Sequence, residues 1–378
     1  MINLHRLSIV ATVWMTVLAS LAAAQVPVAT GRQFTLSNPA WKLFIPSTYE
    51  QRPDGAADLL VHFHGDPQTV WNNARYAHLN AIVVTVNYSG LSSAYSAPFS
   101  NAALFRSIVD EALDVVRAQR DFAGDLSWDQ LGVSSFSAGY GAVREILKSR
   151  GYRAEIDALL AADSLYATTA GDGTPLDSQL ADYKTFAAAA AAGEKTFLFS
   201  HSQVPTYTYE STAECGDELL ESLGATAQPV NETGLGTLNF YRQAHVGNFW
   251  LRGATGSNGD AHLEHLRYIG EYFDDLPLAK LATPPGDFDG NYLVDNADLA
   301  TWTAAFGATA DGDADGNGQT DGGDFLVWQR NLGATSGASA AATSVPEPAA
   351  APLLAVGACL WRLARGLRRR VERLQNAL

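Results

Sequence analysis

Residues 131–149 read LGVSSFSAGYGAVREILKS and join a strand-like segment to a helix-like segment through a run of small residues. Leu131 to Phe136 is typical of a buried strand, and Gly139 to Lys148 is typical of a helix. Ser137 lies at the junction, where small residues two positions before and after it allow a sharp turn. A helix N-terminus helps to stabilise negative charge near a serine oxygen, so Ser137 is a candidate nucleophile.

Residues 25–280 alternate between strand-like and helix-like segments on both sides of this junction. Buried parallel strands are short apolar runs, whereas amphipathic helices repeat apolar residues every three or four positions. The strand candidates are 57–63, 81–88, 131–136, 156–162, 195–200 and 248–253, and the helix candidates are 101–119, 139–148 and 262–273. This alternation predicts an α/β fold, a mostly parallel sheet flanked by helices. Residues 164–194 are a candidate insertion.

The pattern Ser135-x-Ser137-x-Gly139 resembles the G-x-S-x-G motif of the α/β-hydrolase superfamily, with Ser135 in place of the first glycine. The sequence His62-Phe63-His64-Gly65 ends an earlier strand and resembles the superfamily's histidine-glycine element. The resemblance implies an α/β-hydrolase fold of residues 25–282. It also implies an oxyanion hole made by the backbone amides of Gly65 or Asp66 and of Ala138. The two imidazoles are expected only to structure the loop.

The resemblance also implies that an acid and then a histidine follow Ser137 along the chain. His262 is the preferred base because it lies beyond the last predicted strand and the glycine-rich loop 253–259, with His245 and His265 as alternatives. Asp163 is the preferred acid because it directly follows the apolar run 158–162, with Glu210 as the alternative. These residues predict a serine hydrolase that works through an acyl-enzyme, without a cofactor for catalysis.

Residues 286–333 contain a sequence repeat with an offset of 26 residues, in which Trp302 recurs as Trp328. Each repeat places oxygen ligands at positions 1, 3, 5, 9 and 12 and a backbone carbonyl at position 7, as calcium prefers. The predicted ligands are Asp287, Asp289, Asn291, Leu293, Asp295 and Asp298 in the first loop, and Asp313, Asp315, Asn317, Gln319, Asp321 and Asp324 in the second. A short helix is predicted after each loop, so residues 283–335 form a small helical domain of paired calcium loops.

The paired loops resemble a dockerin type I module, which implies structural Ca²⁺ and a cohesin-like protein partner. One position departs from the pattern. Glycine is usual at position 6 because the backbone there has positive φ; Gly318 fits, but Tyr292 does not. The first loop is therefore expected to bind calcium less tightly than the second.

The net charge indicates which kinds of partner the chain can bind, and the cysteine content indicates whether a disulfide is expected. The formal net charge of −15 over 378 residues argues against nucleic acid, whose binding requires a basic surface. Nine aspartates and one arginine fall within residues 287–330, which is consistent with a cation site. Cys215 and Cys359 are the only cysteines, and Cys359 lies in an apolar tail, so a disulfide between them is not expected.

The two ends of the chain predict export. Residues 1–24 carry Arg6, an apolar run and an alanine-rich cleavage site, as a signal peptide does. Residues 336–344 are a linker, and residues 345–378 contain Pro-Glu-Pro, an apolar stretch and an arginine cluster. This tail resembles the PEP-CTERM sorting signal and implies attachment to the membrane or cell surface. A simple membrane anchor is the alternative.

Together these features predict an exported hydrolase of carboxylic esters, with acylated polysaccharide as a candidate substrate. The alternative is a catalytically silent hydrolase fold that serves as a surface binding or adhesion module.

Overall fold

A ten-stranded mixed sheet organises residues 26–282 in the computed structural model, which describes residues 26–335. The strands are β1 (Gly31–Thr35), β2 (Trp41–Pro46), β3 (Ala56–Phe63), β4 (Ala81–Val86), β5 (Ser127–Phe136), β6 (Ala158–Ala162), β7 (Thr196–His201), β8 (Gln228–Thr233), β9 (Asn239–Val246) and β10 (Phe249–Ala254).

Nine α-helices accompany this sheet within residues 26–282. They are α1 (Pro67–Tyr76), α2 (Ser92–Phe99), α3 (Ala103–Arg117), α4 (Tyr140–Leu147), α5 (Arg150–Glu155), α6 (Asp177–Ala191), α7 (Thr212–Ser222), α8 (Gly259–Arg267) and α9 (Gly270–Phe273). A 3₁₀ turn, Ser137–Gly139, joins β5 to α4.

The strand order is β1-β2-β4-β3-β5-β6-β7-β10-β9-β8. The six strands from β4 to β10 in this order run parallel, and antiparallel pairs extend the sheet at both edges. The predicted mostly parallel sheet is therefore confirmed. The antiparallel strands β1, β2, β8 and β9 were not among the sequence predictions. Polar residues interrupt β1, β8 and β9, which are partly exposed, whereas β2 is mostly buried and contains the short apolar run Leu43-Phe44-Ile45.

Helices cover both faces of the sheet, so the central strands are buried on both sides. Side chains alternate between faces along a strand. Accordingly, Leu59 and Val61 of β3 belong to one apolar cluster, while Leu60 between them belongs to the other. Burial of each such leucine or valine contributes about 1.5–3 kcal/mol, so apolar side chains on both faces of this strand stabilise the sheet.

The last predicted helix of residues 26–282 differs in the structure. Residues 262–273 were expected to form one helix, but α8 and α9 are separated at Tyr268 and Ile269. Gly270 packs against α1, its N–H donating to Asn73 Oδ1 at 2.8 Å, and a Cβ there would lie 2.8 Å from the Tyr76 ring. This close approach of α9 to α1 interrupts the continuous helix.

Residues from Thr283 onward form a second structural unit, described here to residue 335. It contains two ten-residue helices, α10 (Asn296–Ala305) and α11 (Gly322–Asn331), each preceded by an acidic loop. Within the described range 26–335, no helix is both long enough and apolar enough to cross a bilayer. The predicted signal peptide, linker and sorting tail lie outside the described residues.

Candidate active site

The turn after β5 holds Ser137 in a strained conformation. Its φ is 47°, in the left-handed region that costs a non-glycine residue about 1–2 kcal/mol. Two residues later, a Cβ at Gly139 would clash with the carbonyl of Phe63 at the end of β3, so glycine is required there. Ser135 replaces the usual first glycine, and its buried hydroxyl lies 2.8 Å from Ser164 Oγ, which also contacts the Ser137 carbonyl at 2.9 Å.

The structure places Asp163 and His262 in direct contact. Asp163 follows the buried strand β6, and His262 lies in the first turn of α8, whose N-cap is Asn258. The distance from His262 Nδ1 to Asp163 Oδ2 is 2.6 Å, and the histidine side chain is 19% exposed while the aspartate is fully buried. The two residues are 99 positions apart, so the contact depends on the packing of α8 over the sheet.

Three further donors surround the Asp163 carboxylate. Ser202 donates to it from its backbone N–H at 2.9 Å and from its hydroxyl at 2.7 Å, and Thr212 donates from its hydroxyl. Burial alone would raise the pKa of Asp163. Electrostatic interactions with the imidazoles of His265 and His262, together with the hydrogen bonds that the carboxylate accepts, outweigh burial, so the pKa of Asp163 lies below its ordinary value. The carboxylate is thus ionised at neutral pH.

Phe136 connects this pair to the serine. Its ring stacks on the His262 ring with centroids 4.6 Å apart, and Ser137 is the next residue. Within the described chain, the Ser137 hydroxyl makes no hydrogen bond, to His262 or to any other side chain. Such bonds are often long or misaligned in a free enzyme and tighten when substrate binds.

The residues of the expected oxyanion hole lie at the adjacent ends of β3 and β5. The Gly65 amide donates to Asn87 Oδ1 at 3.3 Å. The Asp66 side chain caps α1 by accepting from the Thr69 amide at 2.8 Å. Ala138 begins the backbone turn after Ser137, at the N-terminal end of the helical segment.

The alternative residues occupy other positions. His245 stacks on Trp250 near the start of β10, whereas Ser137 and Asp163 follow the ends of their strands, so His245 lies at the opposite end of the parallel sheet. His262 hydrogen-bonds to Asp163 and not to Glu210, which is buried and pairs through its backbone with Ala167.

Buried histidines near the site have structural contacts. His265 is fully buried, with Nδ1 2.8 Å from Ser200 Oγ, and burial lowers its pKa. His62 lies between Ser134 Oγ and the His64 carbonyl, at 2.7 and 2.8 Å, and burial lowers its pKa to about 3. Both imidazoles are therefore neutral at pH 7. For His62 this agrees with the expected role in loop structure.

Sequence reasoning missed the residues that support the acid and those that adjoin the serine. Ser202 and Thr212 have no motif of their own, although Ser202 directly follows β7 and could have been found by its position at a strand end. A chain of tyrosine rings also begins three residues after Ser137. The ring centroids of Tyr140 and Tyr166 are 5.4 Å apart, and those of Tyr166 and Tyr209 are 5.7 Å apart.

The acidic loops of the second unit each bring three carboxylates together. One group comprises Asp287, Asp289 and Asp298, and the other comprises Asp313, Asp315 and Asp324, with candidate ligand atoms within 4.8 Å of one another in each group. Burial raises the pKa of Asp287 to about 6, and the neighbouring carboxylates act in the same direction. A divalent cation would offset this repulsion, so the donor set fits Ca²⁺.

The remaining predicted ligands have contacts within their own loops. Asp295 and Asp321 cap α10 and α11, accepting the amides of Ala297 and Gly323 at 2.6 Å. Asn291 and Asn317 accept the amides of Leu293 and Gln319 at 2.8 and 2.9 Å. The backbone at position 6 is left-handed in both loops, with φ of 64° at Tyr292 and 84° at Gly318.

Hydrogen bonds connect the two repeats reciprocally. Trp302 Nε1 donates to the Asp321 carbonyl at 2.9 Å, and Trp328 Nε1 donates to the Asp295 carbonyl at 2.8 Å. Each tryptophan thus bonds to the residue that caps the helix of the other repeat. This explains why the tryptophans recur together with the acidic loops.

A mostly parallel sheet with a serine in a sharp turn between a strand and a helix is the architecture of the α/β-hydrolase class. Solved structures of that class are similar to this chain. A feruloyl esterase module from Clostridium thermocellum complexed with sinapinate is 13% identical, covering 66% of this chain and 88% of its own, with a TM-score of 0.38. The poly(3-hydroxybutyrate) depolymerase of Bordetella parapertussis is 14% identical, covering 66% and 92%, with a TM-score of 0.36.

A dienelactone hydrolase-like promiscuous phosphotriesterase from metagenomic libraries is 12% identical, covering 66% of this chain and 99% of its own, with a TM-score of 0.36. No protein-family model and no curated protein sequence matches the chain. Identities this low transfer no activity, so the chemistry must be inferred from this chain's own residues.

Proposed function

We propose that residues 26–282 are a serine hydrolase of carboxylic esters in which Ser137 is the nucleophile, His262 the base and Asp163 the acid. One observation carries this proposal: the 2.6 Å contact between Asp163 and His262, with the His262 ring stacked on the residue that precedes Ser137. A buried carboxylate at Nδ1 keeps the proton on that nitrogen. The other ring nitrogen, Nε2, is then free to accept a proton from Ser137.

The reaction follows from this arrangement. Ser137 Oγ attacks the ester carbonyl carbon while its proton passes to His262 Nε2, and the carbonyl oxygen becomes an oxyanion. Backbone amides of the β3 loop and of Ala138 stabilise that charge. The C–O bond to the alcohol then breaks, and His262 returns the proton to the leaving oxygen. In the second half of the reaction, water takes the place of the alcohol. It attacks the acyl carbon while His262 Nε2 accepts its proton, and the bond to Ser137 Oγ then breaks as His262 returns that proton to the serine.

Esters are the proposed substrates because an alcohol leaves more readily than an amine from the tetrahedral intermediate. Acylated polysaccharide is the proposed natural substrate, on the basis of the dockerin-like repeat in the same chain. A panel of p-nitrophenyl esters, an acetylated xylan and a peptide amide would rank these classes by kcat/KM.

The first test is labelling by a fluorophosphonate, which reacts with activated serines. Wild-type protein should be labelled, Ser137→Ala should not, and Ser107→Ala should be labelled like the wild type because Ser107 is exposed on α3 and bonds only within its helix. No labelling of folded wild type would refute the serine hydrolase and favour the silent binding module. Labelling of Ser137→Ala would show that another residue reacts.

We also propose that each acidic loop binds one Ca²⁺ ion that stabilises the second unit. The proposal is supported by two equivalent groups of three carboxylates in a chain of net charge −15. Calorimetric titration should find two sites, with one lost in Asp287→Asn and the other in Asp313→Asn. Two sites remaining in either variant would contradict this assignment.

Export, surface attachment and docking are further proposals based on the sequence patterns described above. Mass spectrometry of the mature protein should find Gln25 at its N-terminus, and cell fractionation should place the protein outside the cytoplasm. A purified cohesin domain should bind the protein in calcium and lose binding in a chelator. Retention of residues 1–24 in the mature protein would contradict the signal peptide.

A further inference from the structure

The loop that would supply an oxyanion donor has an unusual backbone. His64 and Gly65 are both left-handed, with φ of 70° and 137°. A non-glycine residue with positive φ persists only where its surroundings stabilise that conformation. The backbone N–H of His64 donates to the Val86 carbonyl at 3.0 Å, so part of the stabilisation comes from the neighbouring strand β4.

The side chain of His64 is fixed by Tyr95. His64 Nδ1 lies 2.8 Å from the Tyr95 hydroxyl, and the two rings meet edge to face at 5.4 Å. Tyr95 is fully buried, and burial raises the pKa of its hydroxyl above the ordinary value, so the oxygen keeps its proton. The same oxygen accepts from the Tyr88 amide at 2.9 Å and lies 3.1 Å from the Tyr88 carbonyl.

Asn87 completes the connection to the loop. Its Oδ1 accepts the Gly65 amide at 3.3 Å and lies 3.5 Å from the Tyr95 hydroxyl. The Gly65 amide is therefore already engaged. Within the described residues, the Asp66 amide has no acceptor, so it is the amide of this loop that is free to meet an oxyanion.

We propose that Tyr95 and Asn87 are positioning residues that hold the loop so that the Asp66 amide, rather than the Gly65 amide, faces the oxyanion. The inference rests on the proposed serine hydrolase function and refines its oxyanion hole. This role requires neither residue to touch substrate. Tyr95 acts through His64, and Asn87 acts through Gly65.

The test compares Tyr95→Phe with Tyr88→Phe. The first change removes the hydroxyl that fixes His64 and keeps the buried ring. The second removes a neighbouring hydroxyl that bonds to Trp41 instead, at 2.9 Å. Misplacing one oxyanion donor should lower kcat of Tyr95→Phe by about 10- to 100-fold, with KM within about threefold of wild type. Tyr88→Phe should keep wild-type kcat, even if its melting temperature falls.

A transition-state analogue separates positioning from general destabilisation. A trifluoromethyl ketone forms a hemiketal oxyanion on the serine, so its affinity should fall in Tyr95→Phe by the same factor as kcat/KM. Exposed Asn87 allows a second variant that should fold even if Tyr95→Phe does not. Asn87→Ala should lower kcat in the same way, and the double variant should lose less than the product of the two factors.

The outcomes distinguish the two proposals. If wild type is labelled at Ser137 but both Tyr95→Phe and Asn87→Ala keep full kcat and analogue affinity, the positioning role is overturned and the serine hydrolase stands. Equal loss of kcat in Tyr88→Phe would also overturn it, because generic packing would then explain the effect. A folded wild type without activity or labelling would overturn both.

Discussion

Replacing Asp163 by asparagine should abolish most activity while leaving the fold intact. Two donors, the Ser202 amide and the Thr212 hydroxyl, point at Oδ1, and the Ser202 hydroxyl and His262 Nδ1 point at Oδ2. The Ser202 amide cannot rotate, so the single oxygen of asparagine should take the Oδ1 position. The asparagine NH₂ group then faces His262.

The consequence for His262 follows from this orientation. An NH₂ group requires an acceptor, so the proton of the neutral imidazole should move from Nδ1 to Nε2, where it blocks proton transfer from Ser137. The same change in other serine triads lowers kcat by about 10⁴-fold, which corresponds to about 5 kcal/mol in the activation barrier. We expect a loss of this size in Asp163→Asn.

Hydrolysis of p-nitrophenyl acetate measures kcat, with circular dichroism to verify folding. The matched control is Glu210→Gln, which removes the other buried carboxylate considered as the acid, and it should keep kcat within about threefold of wild type. A kcat of Asp163→Asn within tenfold of wild type would refute the assignment of the acid. So would an equal loss in Glu210→Gln.

Three further outcomes are expected. Ser137→Gly should be inactive yet more stable than Ser137→Ala by about 1 kcal/mol in urea unfolding, because glycine relieves the φ of 47°; equal stability would contradict the strain. The pKa of His62 is lowered to about 3, so between pH 3 and about 6.5 the unfolded chain binds more protons than the folded chain. The free energy of unfolding should therefore fall as the pH is lowered through this range. Urea midpoints at pH 7 and 5 should therefore differ more in wild type than in His62→Gln, and an identical difference would exclude this origin. Tyr292→Gly should tighten calcium binding at the first loop about fivefold by relieving a φ of 64°, whereas Gly318→Ala should weaken the second, both measured by calorimetry; unchanged affinities would show that the backbone strain is not coupled to binding.

The sequence predicts the central strands well because their environment is uniform. Strands such as β4 and β6 are buried along their whole length, so all their positions except Thr85 are apolar and a short run is sufficient to find them. The outermost strands β1 and β8 are paired on one side only and are largely exposed, so their polar composition resembles that of loops. The break between α8 and α9 depends on contact with α1, which no local pattern contains.

The candidate site shows the same division between local and distant information. Ser137 is marked by its own neighbours in the chain, and Asp163 by the end of a strand. The sequence order leaves several histidines open, and only the packing of α8 brings His262 to Asp163. Ser202, Tyr95 and Asn87 make contacts through single atoms of distant segments, so nothing in their local sequence indicates their roles.

The reciprocal tryptophan bonds have a consequence for how the second unit can be divided. Because Trp302 and Trp328 each bond to the opposite repeat, a chain cut between the repeats leaves each tryptophan N–H without its acceptor and each helix without its partner. Neither repeat alone then keeps the hydrogen bonds that it makes in the intact unit. Deletion of either copy is therefore expected to destabilise the other, because each repeat supplies an acceptor and a packing partner to its neighbour.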